Sequence, residues 1–105
     1  MSIIQITNGD FSEIIEGRDG IAIVDFYADW CGPCKMFAPV FEELSEEFKN
    51  VVFAKINIDD NEDIAIRLGV TSVPTVIAFR NGEQIARSVG VSGKQRIIDM
   101  IKTGR

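Results

Sequence analysis

Ile21-Ala22-Ile23-Val24-Asp25-Phe26-Tyr27-Ala28-Asp29-Trp30-Cys31-Gly32-Pro33-Cys34-Lys35 is the stretch on which the fold turns. Its first half, Ile21 to Tyr27, is nearly continuous apolar sequence broken only by Asp25. Alternation would mark a strand with one wet face. An unbroken run marks a central strand covered on both faces, as in a parallel sheet. The second half holds both cysteines of the chain as Cys-x-x-Cys. Beyond it Phe37, Val40, Phe41, Leu44 and Phe48 recur at helical spacing, predicting a helix from about Pro33 to Lys49. A strand-to-helix junction thus brings two thiols within bonding reach at a helix entrance. There the unpaired backbone N–H groups and the positive dipole end favour a thiolate, which marks a redox site.

Working outward, Ile3, Ile4 and Ile6 form a short β-rich run, and Thr7, Asn8 and Asp10 are candidate N-caps for a helix over Phe11 to Glu16. Pro39 inside the helix after the cysteines removes a backbone bond and predicts a kink. Its Glu42, Glu43, Glu46 and Glu47 read as a solvated face. Val51 to Ile58 is the next strand, parallel to the central one by the right-handed crossover. Asp59-Asp60-Asn61 caps a helix over Glu62 to Leu68, which Gly69 stops. Thr75–Arg80 and Glu83–Val89 are strands joined by Asn81-Gly82, the strongest short hairpin signal because both turn residues need positive φ. A last helix over Ser92 to about Lys102 aligns Ile97, Ile98 and Ile101. No repeat, low-complexity tract or linker interrupts the chain, so residues 1–105 read as one α/β domain with a mixed sheet.

Composition narrows the function. With 46% hydrophobic and 26% charged residues the chain can bury a core. A net charge of −5 argues against nucleic acid and anionic membranes as partners. No window reaches the length of a membrane span. Met1-Ser2-Ile3-Ile4-Gln5 lacks the basic and apolar regions of a signal peptide, which predicts a cytoplasmic protein. Two cysteines and no histidine leave a zinc site short of ligands. A structural disulfide is a poor reading too, since so small a loop constrains the unfolded chain little. In a reducing cytosol a cycling pair is favoured.

The sequence closely resembles the thioredoxins. The resemblance rests on Trp30-Cys31-Gly32-Pro33-Cys34-Lys35, Asp25, Lys55, Val73-Pro74-Thr75, Asn81-Gly82 and Gly90, and spans nearly the whole chain. It implies the thioredoxin fold: a central five-stranded mixed β-sheet flanked by four α-helices. It further implies a general protein-disulfide reductase and electron carrier that needs no bound cofactor and maintains cell redox homeostasis. Recharging would come from a thioredoxin reductase drawing on NADPH or ferredoxin. Ribonucleotide reductase, peroxiredoxins and methionine sulfoxide reductases would be clients, with a monomer as the default state.

From its place at the helix entrance Cys31 is expected to be exposed and to attack first, with Cys34 less exposed and acting second. Gly32 and Pro33 stiffen the active-site ring, proline suiting the first helical turn. In the family a Gly-Pro pair accompanies reducing behaviour. Asp25 lies in a doubly covered strand, where a carboxylate is costly unless protonated or partnered. By resemblance it relays a proton to or from Cys34, and Lys55 is the lysine that pairs with it. By resemblance the Val73–Pro74 bond is expected to be cis, and its loop to pack against the cysteines and offer the Val73 backbone to a substrate peptide. Gly90 matches a position where the backbone passes close to the site. Trp30, Gly32, Pro33, Ile58, Val73, Pro74, Val89, Gly90 and Val91 would form a flat apolar docking surface around Cys31.

Tyr27, where many members carry a second tryptophan, Asp29 and Ser72 depart from the family pattern. The last two are positions that could tune partner choice. Two alternatives remain at this point: a non-catalytic binding module using the same surface, and a disulfide-forming oxidant. Retention of both cysteines and Asp25 argues against the first. Gly32-Pro33 and the cytoplasmic location expected from Met1 to Gln5 argue against the second.

Overall fold

A computed structural model describes residues 3–104 of the chain. Five strands, β1 (Ile3–Gln5), β2 (Ile21–Tyr27), β3 (Val52–Asn57), β4 (Thr75–Arg80) and β5 (Glu83–Val89), form one sheet in the order β1-β3-β2-β4-β5. β3 runs parallel to both β1 and β2, whereas β4 is antiparallel to β2 and to β5. β2 is the centre of the sheet, and all of Ala22 to Phe26 is buried, as its unbroken apolar run requires.

Side chains alternate along a strand, so Ile23 and Asp25 share one face while Val24 and Phe26 share the other. α1 (Gly32–Glu47) and α3 (Lys94–Thr103) cover the first face, packing Phe37, Phe41, Leu44, Ile97 and Ile101 around Ile23 and Phe53. α2 (Glu62–Arg67) and the segment Ser12–Glu16 cover the second, where Phe11, Ile15 and Ile64 close on Val24 and Phe26. These are four helical segments in all among the described residues. Asn81 and Gly82 turn the β4–β5 hairpin with φ of 51° and 83°. Gly82 is required twice over, because a Cβ there would meet the Glu16 carbonyl oxygen.

Local differences from the sequence reading have physical causes. The first helical segment is wound as a π-helix, with the Gly17 N–H reaching back to the Ser12 carbonyl at 2.8 Å. Asp10 folds the preceding turn by accepting from the Thr7 N–H at 2.6 Å. Asn8 caps a different helix: its Oδ1 accepts from the Ile64 N–H of α2 at 3.0 Å. Asn61 stands at the α2 N-cap but makes no side-chain cap bond. Its amide instead accepts from the Asn8 N–H and donates to the Asn57 carbonyl. Ser92 likewise bonds Ser88, and α3 starts two residues later at Lys94 behind Gly93. α1 continues through Pro39, which leaves the Lys35 carbonyl without its helical donor. Glu42, Glu43, Glu46 and Glu47 are exposed as expected, yet Lys94 ties two of them to α3, its Nζ lying 2.6 Å from Glu43 Oε1 and 2.5 Å from Glu47 Oε1.

Candidate dithiol site

β2 ends at Tyr27 and α1 begins at Gly32, so the cysteines sit where the central strand hands over to a helix. Cys31 is the N-cap of α1, with extended backbone (φ −87°, ψ 108°). Its sulfur accepts from the Cys34 N–H at 3.1 Å, doing the work that a serine or aspartate oxygen does at other helix starts. Gly32 and Pro33 occupy the first turn, where a missing N–H costs nothing. Cys31 and Cys34 are joined as a disulfide with Cα atoms 5.3 Å apart.

The expected contrast in exposure is absent. Cys31 is 3% and Cys34 5% exposed, so accessibility does not separate an outer from an inner thiol in the disulfide form. Chain beyond the motif supplies the cover: Tyr27, Ile58 and Val73 pack against the cysteines, and the Val73 carbonyl oxygen lies 3.7 Å from Cys31 Sγ. What does distinguish the two sulfurs is their polar surroundings. Cys31 receives a backbone N–H at the positive end of a helix, and an anion there is favoured. Cys34 lines a cleft of about 480 Å³ on the other side, together with Asp25.

Asp25 is 4% exposed, and among the described residues no group donates a hydrogen bond to its Oδ1. Burial therefore pushes its carboxyl up to about 7, with the Lys55 charge pulling the other way. Register pairs Asp25 with Lys55 across β2 and β3. Lys55 acts on the carboxyl as a nearby charge, but among the described residues no ion pair joins the two. The Lys55 ammonium lies over the Tyr27 ring, 5.2 Å from its centre.

The Val73–Pro74 bond is cis. Pro74 itself is buried, so it does not contribute exposed apolar surface beside the cysteines. Gly90 adopts φ of 85° and donates its N–H to the Pro74 carbonyl at 2.8 Å. A Cβ on Gly90 would meet open space, so the glycine answers the positive φ, not crowding. Trp30 is 69% exposed, Val89 and Val91 are exposed, and Ile58 and Val73 are half-buried. The Trp30 indole N–H donates to Asp59 Oδ2 at 2.7 Å, which fixes the plane of the ring. The sequence reading places Asp59 only in the α2 cap and gives no site role to Gln5, whose Oε1 accepts from the Tyr27 hydroxyl at 3.3 Å. Neither carries a local signal, because each is brought in by strand register or loop packing. Met36 is also exposed, and its signal was legible: it is an apolar residue off the buried stripe of α1.

A mixed sheet that delivers a bonded Cys-x-x-Cys to a helix mouth, with an acid behind it, defines a dithiol–disulfide oxidoreductase. Comparison with known proteins agrees. The family model described as Thioredoxin matches residues 2–103. The thioredoxin of Mycoplasma genitalium is 43% identical over 88 residues, covering 84% of this chain and 85% of that protein. Those of Staphylococcus epidermidis and Haemophilus influenzae are each 39% identical, covering 96% and 94% of both chains respectively. The chain belongs to the thioredoxin family and is a protein-disulfide reductase.

Proposed function

We propose that Cys31 attacks, Cys34 resolves, and Asp25 takes the proton that Cys34 must lose. In the reduced protein the Cys31 thiolate attacks one sulfur of a client disulfide. The client S–S bond breaks, its first sulfur leaves as a thiolate and is protonated, and a Cys31–client mixed disulfide forms. Cys34 then passes its proton to the Asp25 carboxylate and attacks the Cys31 sulfur. The second client sulfur leaves, and the Cys31–Cys34 disulfide remains. Two electrons have moved to the client, which ends as a dithiol.

The observation that carries this reading is the polar asymmetry of the pair. Cys31 Sγ receives the Cys34 N–H at 3.1 Å, while Cys34 shares its cleft with a buried carboxyl that has an unbonded oxygen. A proton acceptor working near neutrality wants a pKa close to the working pH, and Asp25 at about 7 fits. Lys55 acts on it as a nearby charge without a direct bond.

The client's extended segment docks on the apolar face made by Trp30, Ile58, Val73, Val89 and Val91, with Gly32 and Pro33 at its edge and Pro74 and Gly90 holding its shape. The protein works as a monomeric thioredoxin domain in the cytoplasm, maintaining cell redox homeostasis. Thioredoxin reductase recharges it, and ribonucleotide reductase, peroxiredoxins and methionine sulfoxide reductases are its clients. Family membership and the exposed apolar residues beside the disulfide support this set. The test is Asp25→Asn. It should fold and keep its disulfide, yet reduce insulin disulfides on the order of 10²-fold more slowly near neutrality. Unchanged turnover would reject the relay.

A further inference from the structure

We propose that Tyr27 is a positioning residue for the exchange: its ring holds the Lys55 ammonium off Asp25, leaving the carboxyl free to accept a proton. The inference rests on the reading of Asp25 as the proton acceptor for Cys34. It begins from a contact that is missing. Asp25 and Lys55 are register partners on neighbouring parallel strands, so their side chains leave the same face. A lysine stem is long and flexible enough to reach such a neighbour. Opposite charges that close in a partly desolvated cleft attract strongly. Yet the ammonium turns to the Tyr27 ring, 5.2 Å from its centre and within cation–π range.

Tyr27 lies two residues beyond Asp25, on the same face, and is itself held in place. Its hydroxyl donates to Gln5 Oε1 at 3.3 Å, and Gln5 Nε2 donates to the Lys55 carbonyl at 3.4 Å. Gln5 is the register partner of Lys55 on the opposite side. Three adjacent strands therefore supply one clamp: β1 braces the ring through Gln5, β2 carries the ring, and β3 presents the ammonium to it. Around the same cleft Asp25 is faced by Cys34, Lys35 and Glu42 of α1, by Asp29 after β2, and by Lys55 and Tyr27. Lys35 and Lys55 are the cations of this set, and Asp29 and Glu42 its anions. Of the two cations, only Lys55 contributes to the shift of the carboxyl. If it closed on Asp25, the carboxylate would be stabilised and become a poorer acceptor for the Cys34 proton.

The experiment is a carbon-13 NMR titration of the Asp25 carboxyl in the oxidised protein, wild type and variants. Tyr27→Leu removes the ring, so Lys55 reaches Asp25 and the carboxyl midpoint falls by about one pH unit. Tyr27→Phe keeps the ring and keeps the midpoint. Lys55→Met raises it, and adding Tyr27→Leu to Lys55→Met changes nothing more. Should Tyr27→Leu leave the midpoint alone, Lys55 is off Asp25 for some other reason and the proposal falls. It falls equally if Tyr27→Leu shifts the midpoint with Lys55 already gone. Wild-type protein gives a second readout should Tyr27→Leu not fold. The Lys55 ε-methylene protons should be displaced upfield by the ring, and an ordinary lysine shift overturns the clamp. The titration reads the carboxyl directly, whereas the relay itself is judged by turnover of Asp25→Asn, so the two ideas fail separately.

Discussion

The two faces of the sheet bury similar amounts of apolar side chain to different ends. Beneath α2, Phe11, Ile15, Val24, Phe26, Ile64 and Phe79 close on one another, with Phe11 edge-on to Phe79. Beneath α1, the same strand turns inward a carboxyl that lacks a donor for one oxygen. The first face is what hydrophobic burial produces when nothing else is asked of it. The second accepts an unfavourable group at the point where the helix delivers its cysteines. What the difference teaches is where to look: the catalytic face is the one that violates the rule its neighbour obeys.

Stability should separate the faces most sharply. On the apolar side, Phe11→Ala should cost about 3–5 kcal/mol at any pH and leave the exchange chemistry of the folded protein intact. On the other side the effect is carried by pH. Burial pushes the Asp25 carboxyl up to about 7 in the folded protein, against an ordinary value of 3.8. Below the lower value both states are protonated and Asp25 carries no pH-dependent penalty. Between the two values the unfolded chain ionises while the folded one holds its proton, so stability falls as pH rises. Above the upper value both are ionised and the loss levels off at roughly 4 kcal/mol. Urea unfolding across this range should show the decline in wild-type oxidised protein and its absence in Asp25→Asn. A parallel decline in both would mean that the acid is not the source. A smaller contrast lies at the helix ends. Asn8→Ala removes the acceptor for the Ile64 N–H and should cost on the order of 1 kcal/mol, read as a lowered urea midpoint with unchanged disulfide reduction.

Much of this was written along the chain. β2 announced itself by its unbroken apolar run, the hairpin by Asn81-Gly82, the redox pair by two cysteines at a helix start. Asp25 stood out as the one break in an apolar stretch. Each of these is a local signal whose physics acts within a few residues. The rest depends on partners far away in sequence. The α2 cap comes from Asn8, 56 residues before the N–H it serves, and displaces Asn61 from that role. Cys31 is covered because Val73 is folded onto it, a contact the family resemblance implies but no residue near the motif signals. The direction of the Lys55 side chain is settled by Tyr27 and Gln5 on two other strands. Strand register could be expected from the topology, but the choice between two nearby partners for one ammonium could not.

The central claim is that one sulfur is primed as an anion at the mouth of α1 while a buried acid handles the proton of the other. Alkylation of the reduced protein by iodoacetamide across a pH series tests it most directly, with the peptide Trp-Cys-Gly-Pro-Cys-Lys alongside. Cys31 should react faster than the peptide thiols at neutral pH, with a rate profile that Asp25→Asn alters near pH of about 7. A Cys31 no more reactive than the peptide, with a profile indifferent to Asp25, would contradict the account.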